Sequence, residues 1–295
     1  MGLVLIVASL YWALTSVDLK EVAGMLNSAD RWMLLVEMPA LVLLVWLLRA
    51  LRWHLVLSAL GARPSFCATY FSTSVSLGLA AVTPMQSGEL LKIAHAGDQH
   101  GLSVSSGAGG YAVERLADVV VLIVMTVTAS LALLLPGSGI TIVAAGVVLA
   151  GLGLGTVAFV VVRRLAPGLI EELARAARIL LVRPPLQIAV WTLTLGCWIL
   201  TAGLWQITLH AVGVDATYAL SAFLVGSVTL AGVALLVPGA IGVSEATVTA
   251  ILIQQGFGAE EGLTAALALR VITFAAIALG TAHWALQKSL PWATR

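Results

Sequence analysis

Eight apolar runs, at 1–17, 32–48, 66–83, 106–135, 139–162, 186–212, 217–237 and 262–287, fill most of the 295 residues. A membrane-spanning helix needs about 20 such residues, and backbone surrounded by lipid must satisfy its own hydrogen bonds, which helices do. Charged residues make up only 10% of the chain, against about 25% in soluble domains, so no stretch is polar enough for a separate soluble domain. The expected fold is an all-α polytopic membrane protein with one transmembrane domain over 1–295. A net charge of +1 without a long basic block gives no footprint for nucleic acid. Cys67 and Cys197 lie inside apolar runs and read as small hydrophobes. Run 1–17 resembles a signal sequence but lacks a basic leader and a cleavage site, and is read as a retained helix.

Segments 87–97 and 242–255 are too short to cross. Each follows a proline break, Thr83-Pro84 in one case and Pro238-Gly239 in the other, where helical hydrogen bonding is interrupted. The positive-inside rule places the basic segments 49–65 (Arg49, Arg52, Arg63) and 163–185 (Arg163, Arg164, Arg175, Arg178, Arg183) in the cytoplasm. Both lie on one side only if the chain turns back at Pro84, which makes 66–97 a re-entrant hairpin, and the same logic makes 217–255 a hairpin from the opposite face. About six full spans remain, both termini are expected in the cytoplasm, and 163–185 is a cytoplasmic basic linker. It joins an N-terminal half, 32–162, to a C-terminal half, 186–287. Glu89 precedes Arg115 by 26 residues and Glu245 precedes Arg270 by 25, the spacing expected of an inverted repeat and open also to coincidence. Inverted repeats with broken helices are a transporter architecture, in which half-helix N-termini present unpaired N–H groups to an anionic substrate.

A charge at membrane depth costs at least ~2.5–3.5 kcal/mol, so each needs a partner or a wet cavity. The candidates are Glu37, Glu89, Lys92, Glu114, Arg115, Asp118, Glu245 and Arg270, with His210 and His283 near span ends. Glu89 and Lys92 lie three apart on the helix opened by Ser87-Gly88, either as a cap and local ion pair or as substrate ligands. Glu245, behind Gly242 and Ser244, has no basic residue within a turn. Glu114 and Asp118, four apart, share a face of helix 106–135, with Arg115 offset from it. Arg115 either pairs with a carboxylate from another helix or binds a phosphate, for which its guanidinium is suited. Arg270 has no acid within four positions and is the foremost anion-ligand candidate, with a pair to Glu245 as the alternative. The hairpin breaks themselves are assigned to Thr83, Pro84, Gly88, Pro238, Gly239 and Gly242.

Other features point to packing. The glycines 101–110 lack the Gly-Lys-Ser/Thr of a phosphate loop and suit close helix contact. Trp191, Trp198 and Trp205, seven apart, read as a lipid-facing stripe. His95, Asp98 and His100 are not read as a metal site, no cofactor is expected, and no hydrolase pattern falls at membrane depth, so the chain is not expected to be an enzyme.

Leu51-Arg52-Trp53-His54, Thr83 through Lys92 (TPMQSGELLK), Glu114-Arg115-Leu116-Ala117-Asp118 and Pro238 through Ala246 (PGAIGVSEA) together resemble the lysylphosphatidylglycerol synthase transmembrane family, also called flippase-like, over nearly the whole chain. The resemblance implies a bacterial or archaeal inner-membrane protein that moves an anionic or aminoacylated phospholipid, or a polyprenyl-phosphate-linked sugar, between leaflets. Founding members carry a cytosolic aminoacyl transferase domain after this portion; the sequence ends at Arg295, so synthase activity is not carried over. Ala240 stands where the family has the second glycine of Pro-Gly-Gly, and Ser244 where an arginine is common. Arg115 and Arg270 would hold the phosphate while Glu89 and Glu245 pair with them in the empty state or exchange protons. The partner is a membrane lipid with an anionic headgroup, with a homodimer or a lipid-modifying enzyme as further possible partners. Two other classes share these features, a membrane accessory subunit of a lipid-modifying glycosyltransferase and a proton-coupled carrier of a small solute.

Overall fold

The computed structural model describes residues 18–134, 183–235 and 241–289, and every regular element in them is helical. Four helices are long and apolar enough to span a membrane: Met33–Ala59, Val104–Leu134, Pro184–Ala211 and Ala259–Ser289. The runs at 1–17 and 139–162, most of the linker 163–185, and Pro238-Gly239 lie outside the described residues.

A short helix α1 (Leu19–Asn27) is capped by Asp18, whose side chain accepts from the Lys20 N–H at 2.8 Å. The first long helix opens as a π-turn, Met33–Glu37, and continues as α2 (Met38–Ala59). Pro39 follows that widened turn, which removes the clash its ring would make with the preceding carbonyls of a regular helix. The run expected to end at 48 therefore continues eleven residues further, carrying Arg49 and Arg52 inside the bundle, not in a cytoplasmic segment. The apolar residues Leu51, Trp53, Leu55, Val56 and Leu57 carry it on.

Helix α3 (Phe66–Ala80) starts at the Ser65 cap and ends before the Thr83-Pro84 break. At about 1.5 Å per residue its 15 residues reach roughly 22 Å, short of the hydrocarbon thickness of about 30 Å. The chain then makes a 3₁₀ segment, Pro84–Leu90, and returns as α4 (Leu91–His100). Gly88 allows the reversal, since a Cβ there would lie 2.5 Å from the Ala80 nitrogen. Gly101, with φ +63°, closes α4 in the left-handed conformation that glycine adopts without strain. Helix α5 (Val104–Leu134) follows.

The second described half repeats this order. Helix α6 (Pro184–Ala211) leads to α7 (Tyr218–Leu235), the short α8 (Val243–Gln254) and α9 (Ala259–Ser289). The packing closes under exchange of the halves. Helices α2 and α6 pack on each other; α3 packs on α9 as α7 does on α5; α2 packs on α3 as α6 does on α7; and α4 packs on α5 as α8 does on α9. Val190 meets Trp53 and Leu57 while Leu204 meets Met38 and Val42, so α6 runs antiparallel to α2. His54 stacks edge-on with Phe66, which puts the start of α3 at the Ala59 end of α2. The start of α7 and the end of α8 instead join Leu209 and Val212, at the far end of α6, in one apolar cluster. The two hairpins thus enter from opposite ends of the bundle. Gly78 and Gly280 let α3 and α9 touch, because a Cβ on either would stand 2.7 Å from the other's Cα.

Candidate functional site

A buried charge network forms where α2, the 3₁₀ segment, α4, α5 and α6 meet. Arg52 on α2 is 1% exposed. Its Nη1 and Nη2 donate to the two Asp118 carboxylate oxygens at 2.7 and 3.1 Å, its Nε to Glu114 Oε1 at 3.1 Å, and Nη1 also to Thr194 Oγ1 at 2.8 Å. The planar fork suits this bidentate grip. The four-residue spacing of Glu114 and Asp118 aims both carboxylates at one cation from another helix. Lys92 Nζ lies 2.6 Å from Glu114 Oε2, with the rings of Trp53 and Tyr111 at 4.7 and 5.0 Å. Trp198, expected on a lipid-facing stripe, is buried and donates its indole N–H to Asp118 Oδ1 at 3.2 Å.

Glu89 is the second hub. It lies in the 3₁₀ segment, two residues before α4 begins, and so does not sit in the first turn of the short helix as its position after Ser87-Gly88 suggested. Three cations converge on it: Arg49 Nη1 at 3.3 Å, Arg115 Nη2 at 3.1 Å and Lys92 Nζ at 3.5 Å. Arg115 Nη2 is also 2.7 Å from Asp118 Oδ2, and its buried Nε makes no hydrogen bond among the described residues. Among the described residues, Arg49, Arg52, Lys92 and Arg115 are thus linked to Glu89, Glu114 and Asp118 in one set, four cations against three carboxylates.

The network borders an open cleft of about 180 Å³. Its walls are Val42, Val45, Leu77, Ala80, Leu204 and Ile272, and its polar end is Arg49, Glu89 and Gln86. Gln86 holds φ +57°, a left-handed conformation uncommon for a residue with a side chain. Ser87 is exposed beside it. The backbone of the break is partly tied down, with the Gly88 N–H donating to Thr83 Oγ1 at 2.7 Å, so the fan of unpaired amides expected there is reduced.

Gly242, Ser244, Glu245 and Arg270 gather at the start of α8, whereas Glu37 lies in the π-turn, His210 in the last turn of α6 and His283 on α9 beside Tyr70. Arg270, on α9, donates through Nε to Glu245 Oε1 at 2.7 Å and through Nη2 to the same oxygen, and Nη2 also donates to Ser244 Oγ at 2.6 Å. The other Glu245 oxygen accepts the Gly242 N–H at 2.8 Å and the Ser244 hydroxyl at 2.9 Å. Gly242, at φ +79°, takes the turn into this helix. The carboxylate that lacked a local partner in the sequence therefore has Arg270, and this N-terminal amide is also occupied. Arg115 and Arg270 oppose different carboxylates on different short elements.

Arg49 and Arg52 are the residues sequence reasoning missed. Two acids beside a single arginine on α5 left a surplus of negative charge that only another element could answer, and this was the signal available. No curated protein and no solved structure matches the chain significantly. The family model described as the lysylphosphatidylglycerol synthase TM region matches residues 1–280. That match takes in both hairpins, the buried charge network, three of the long helices and most of α9, and the chain belongs to the lysylphosphatidylglycerol synthase transmembrane-region family.

Proposed function

We propose that this multi-pass membrane protein is a lipid flippase, which moves a lipid with an anionic headgroup between leaflets and catalyses no covalent chemistry. One observation carries the reading: an apolar cleft at mid-bundle ends on a charge network whose cations, among the described residues, outnumber its carboxylates by one. Charges inside a membrane bundle are retained where they face a substrate path, and an apolar wall leading to a cationic end matches an amphiphile. The exchange-symmetric packing of the two halves supports an inverted repeat, the frame on which alternating access is built. Orientation follows from charge: Arg63 follows the Ala59 end of α2, and Lys288 lies at the end of α9, which runs alongside α2. Those ends face the cytoplasm of a bacterial or archaeal cell.

The test is reconstitution of the full chain in liposomes carrying headgroup-labelled lipids, with a membrane-impermeant quencher reporting the accessible leaflet. An anionic lipid should be quenched beyond the half expected of empty vesicles, and Arg115→Ala should slow that step while the protein stays folded. Quenching equal to that of empty vesicles for every anionic lipid tried, glycerophospholipid or polyprenyl phosphate, would overturn the reading and favour an accessory subunit.

A further inference from the structure

The four cations of the network are not equivalent. Arg52 and Lys92 are buried and already matched to carboxylates, and Arg115 holds Glu89 and Asp118 together. Arg49 alone of the four lines the cleft. Its side chain is 14% exposed and its single ion pair, to Glu89 at 3.3 Å, is longer than most contacts in the network. Its guanidinium lies 5.8 Å from the Trp198 ring centroid, a face that supports a planar cation. Glu89 would not be stranded by the loss of Arg49, since Arg115 and Lys92 remain at 3.1 and 3.5 Å.

We infer that Arg49 is the headgroup ligand: it leaves Glu89 for the phosphate of a lipid in the cleft, and Arg115 and Lys92 keep Glu89 neutralised meanwhile. This deepens the flippase reading and rests on it. The exchange breaks one long ion pair and makes a charge-assisted fork on phosphate, so empty and loaded states stay close in energy. The surplus of one positive charge sets the ligand class. A phosphodiester carries one negative charge and brings the network to neutrality, whereas a diphosphate brings at least two and leaves a buried charge unanswered. Two lipids share that chemistry, a glycerophospholipid such as phosphatidylglycerol and a polyprenyl monophosphate sugar. Gln86, beside Arg49 and Glu89, is placed to read the hydroxyls that either presents.

The experiment is native mass spectrometry of the full chain from nanodiscs of phosphatidylcholine doped with phosphatidylglycerol, a polyprenyl monophosphate hexose or a polyprenyl diphosphate, for the parent, Arg49→Gln, Arg49→Lys and Arg115→Ala. The parent should retain one of the two phosphodiesters above the phosphatidylcholine background, and whichever it is names the source. Arg49→Gln should lower that retention by about tenfold or more, the loss expected of one charge-assisted hydrogen bond, with the melting temperature held near the parent's. Arg49→Lys, which keeps the charge without the fork, should fall between them. Retention unchanged in Arg49→Gln but lost in Arg115→Ala would overturn the role of Arg49 and leave the flippase reading standing. Equal retention of the diphosphate would overturn the charge match. A parent that holds no anionic lipid above background, and moves none, would sink the flippase reading itself.

Discussion

Replacing Arg52 by methionine should be among the most damaging single changes in the molecule. The substitution keeps apolar bulk but removes four hydrogen bonds, two to Asp118, one to Glu114 and one to Thr194, from a side chain 1% exposed. Breaking a buried pair by deleting one partner costs about 3–5 kcal/mol, because the other charge is left unanswered. Here the acids keep part of their company: Asp118 retains Arg115 at 2.7 Å and the Trp198 N–H at 3.2 Å, and Glu114 retains Lys92 at 2.6 Å. The lower part of that range, about 3 kcal/mol, is therefore expected. Arg49→Gln gives up one 3.3 Å pair and should cost clearly less, because Glu89 keeps Arg115 and Lys92. Equilibrium unfolding in mixed micelles of rising dodecyl sulfate fraction would compare the two, with the Arg52→Met, Asp118→Leu double variant recovering part of the loss. Should Arg52→Met unfold within about 1 kcal/mol of Arg49→Gln, the burial and pairing described for Arg52 would be wrong.

At the α3–α9 crossing, Gly78→Val should lower the melting temperature measurably, since a Cβ would stand 2.7 Å from the Gly280 Cα and overpacking costs about 1–3 kcal/mol; a melt unchanged from the parent would deny the contact. In the second half, Arg270→Met should destabilise more than the Arg270→Met, Glu245→Leu pair does beyond Glu245→Leu alone, with a coupling of about 1 kcal/mol or more in a double-mutant cycle; strict additivity would refute the pair. For topology, cysteines at Arg63 and Ser103 should react with an impermeant maleimide from one side of the membrane and a cysteine at Ser28 from the other, because α2, with its π-turn, is 27 residues long and the 66–97 hairpin returns to its starting side. Labelling of positions 63 and 103 from opposite sides would show that this hairpin crosses.

The long helices α5, α6 and α9 were legible from hydropathy to within a few residues, because helices in lipid are specified by apolar length more than by local propensity. The first break was legible too, through Thr83-Pro84, and of the second the turn at Gly242; Pro238 and Gly239 lie outside the described residues. Less could be seen of α2. A window that stops at the first arginine ends the run at Leu48, and the positive-inside rule then gives Arg49 and Arg52 to the cytoplasm, although it applies only to charges outside the hydrocarbon. What carries them inward is tertiary: Glu114 and Asp118 supply the carboxylates from a helix some sixty residues away. Trp198 escaped for a related reason, since seven-residue spacing reports a helix face without saying whether lipid or a carboxylate lies against it. The Arg270–Glu245 pair was within reach, as two partnerless opposite charges at membrane depth have few other ways to be stabilised.

Comparison of the two halves separates what the frame requires from what the ligand requires. Both halves tie the chain at the break to the following long helix through a Glu–Arg pair, Glu89 with Arg115 and Glu245 with Arg270, at matching places in an exchange-symmetric packing. A feature present twice, where only the frame is repeated, is accounted for by the frame. The additional charges are not repeated: counting from the shared glutamate and arginine, Lys92 corresponds to Val248, Glu114 to Leu269 and Asp118 to Thr273. Arg52 itself faces Thr194, across the α2–α6 contact that relates the halves. The first half thus bears the cost of five further charges, Arg49, Arg52, Lys92, Glu114 and Asp118, that have no charged counterpart among the described residues of the second half. Burial of that kind is weak support for stability, because well-packed apolar residues would do as well or better. Its position beside the cleft, and among the described residues in one half only, is what favours the proposed headgroup site.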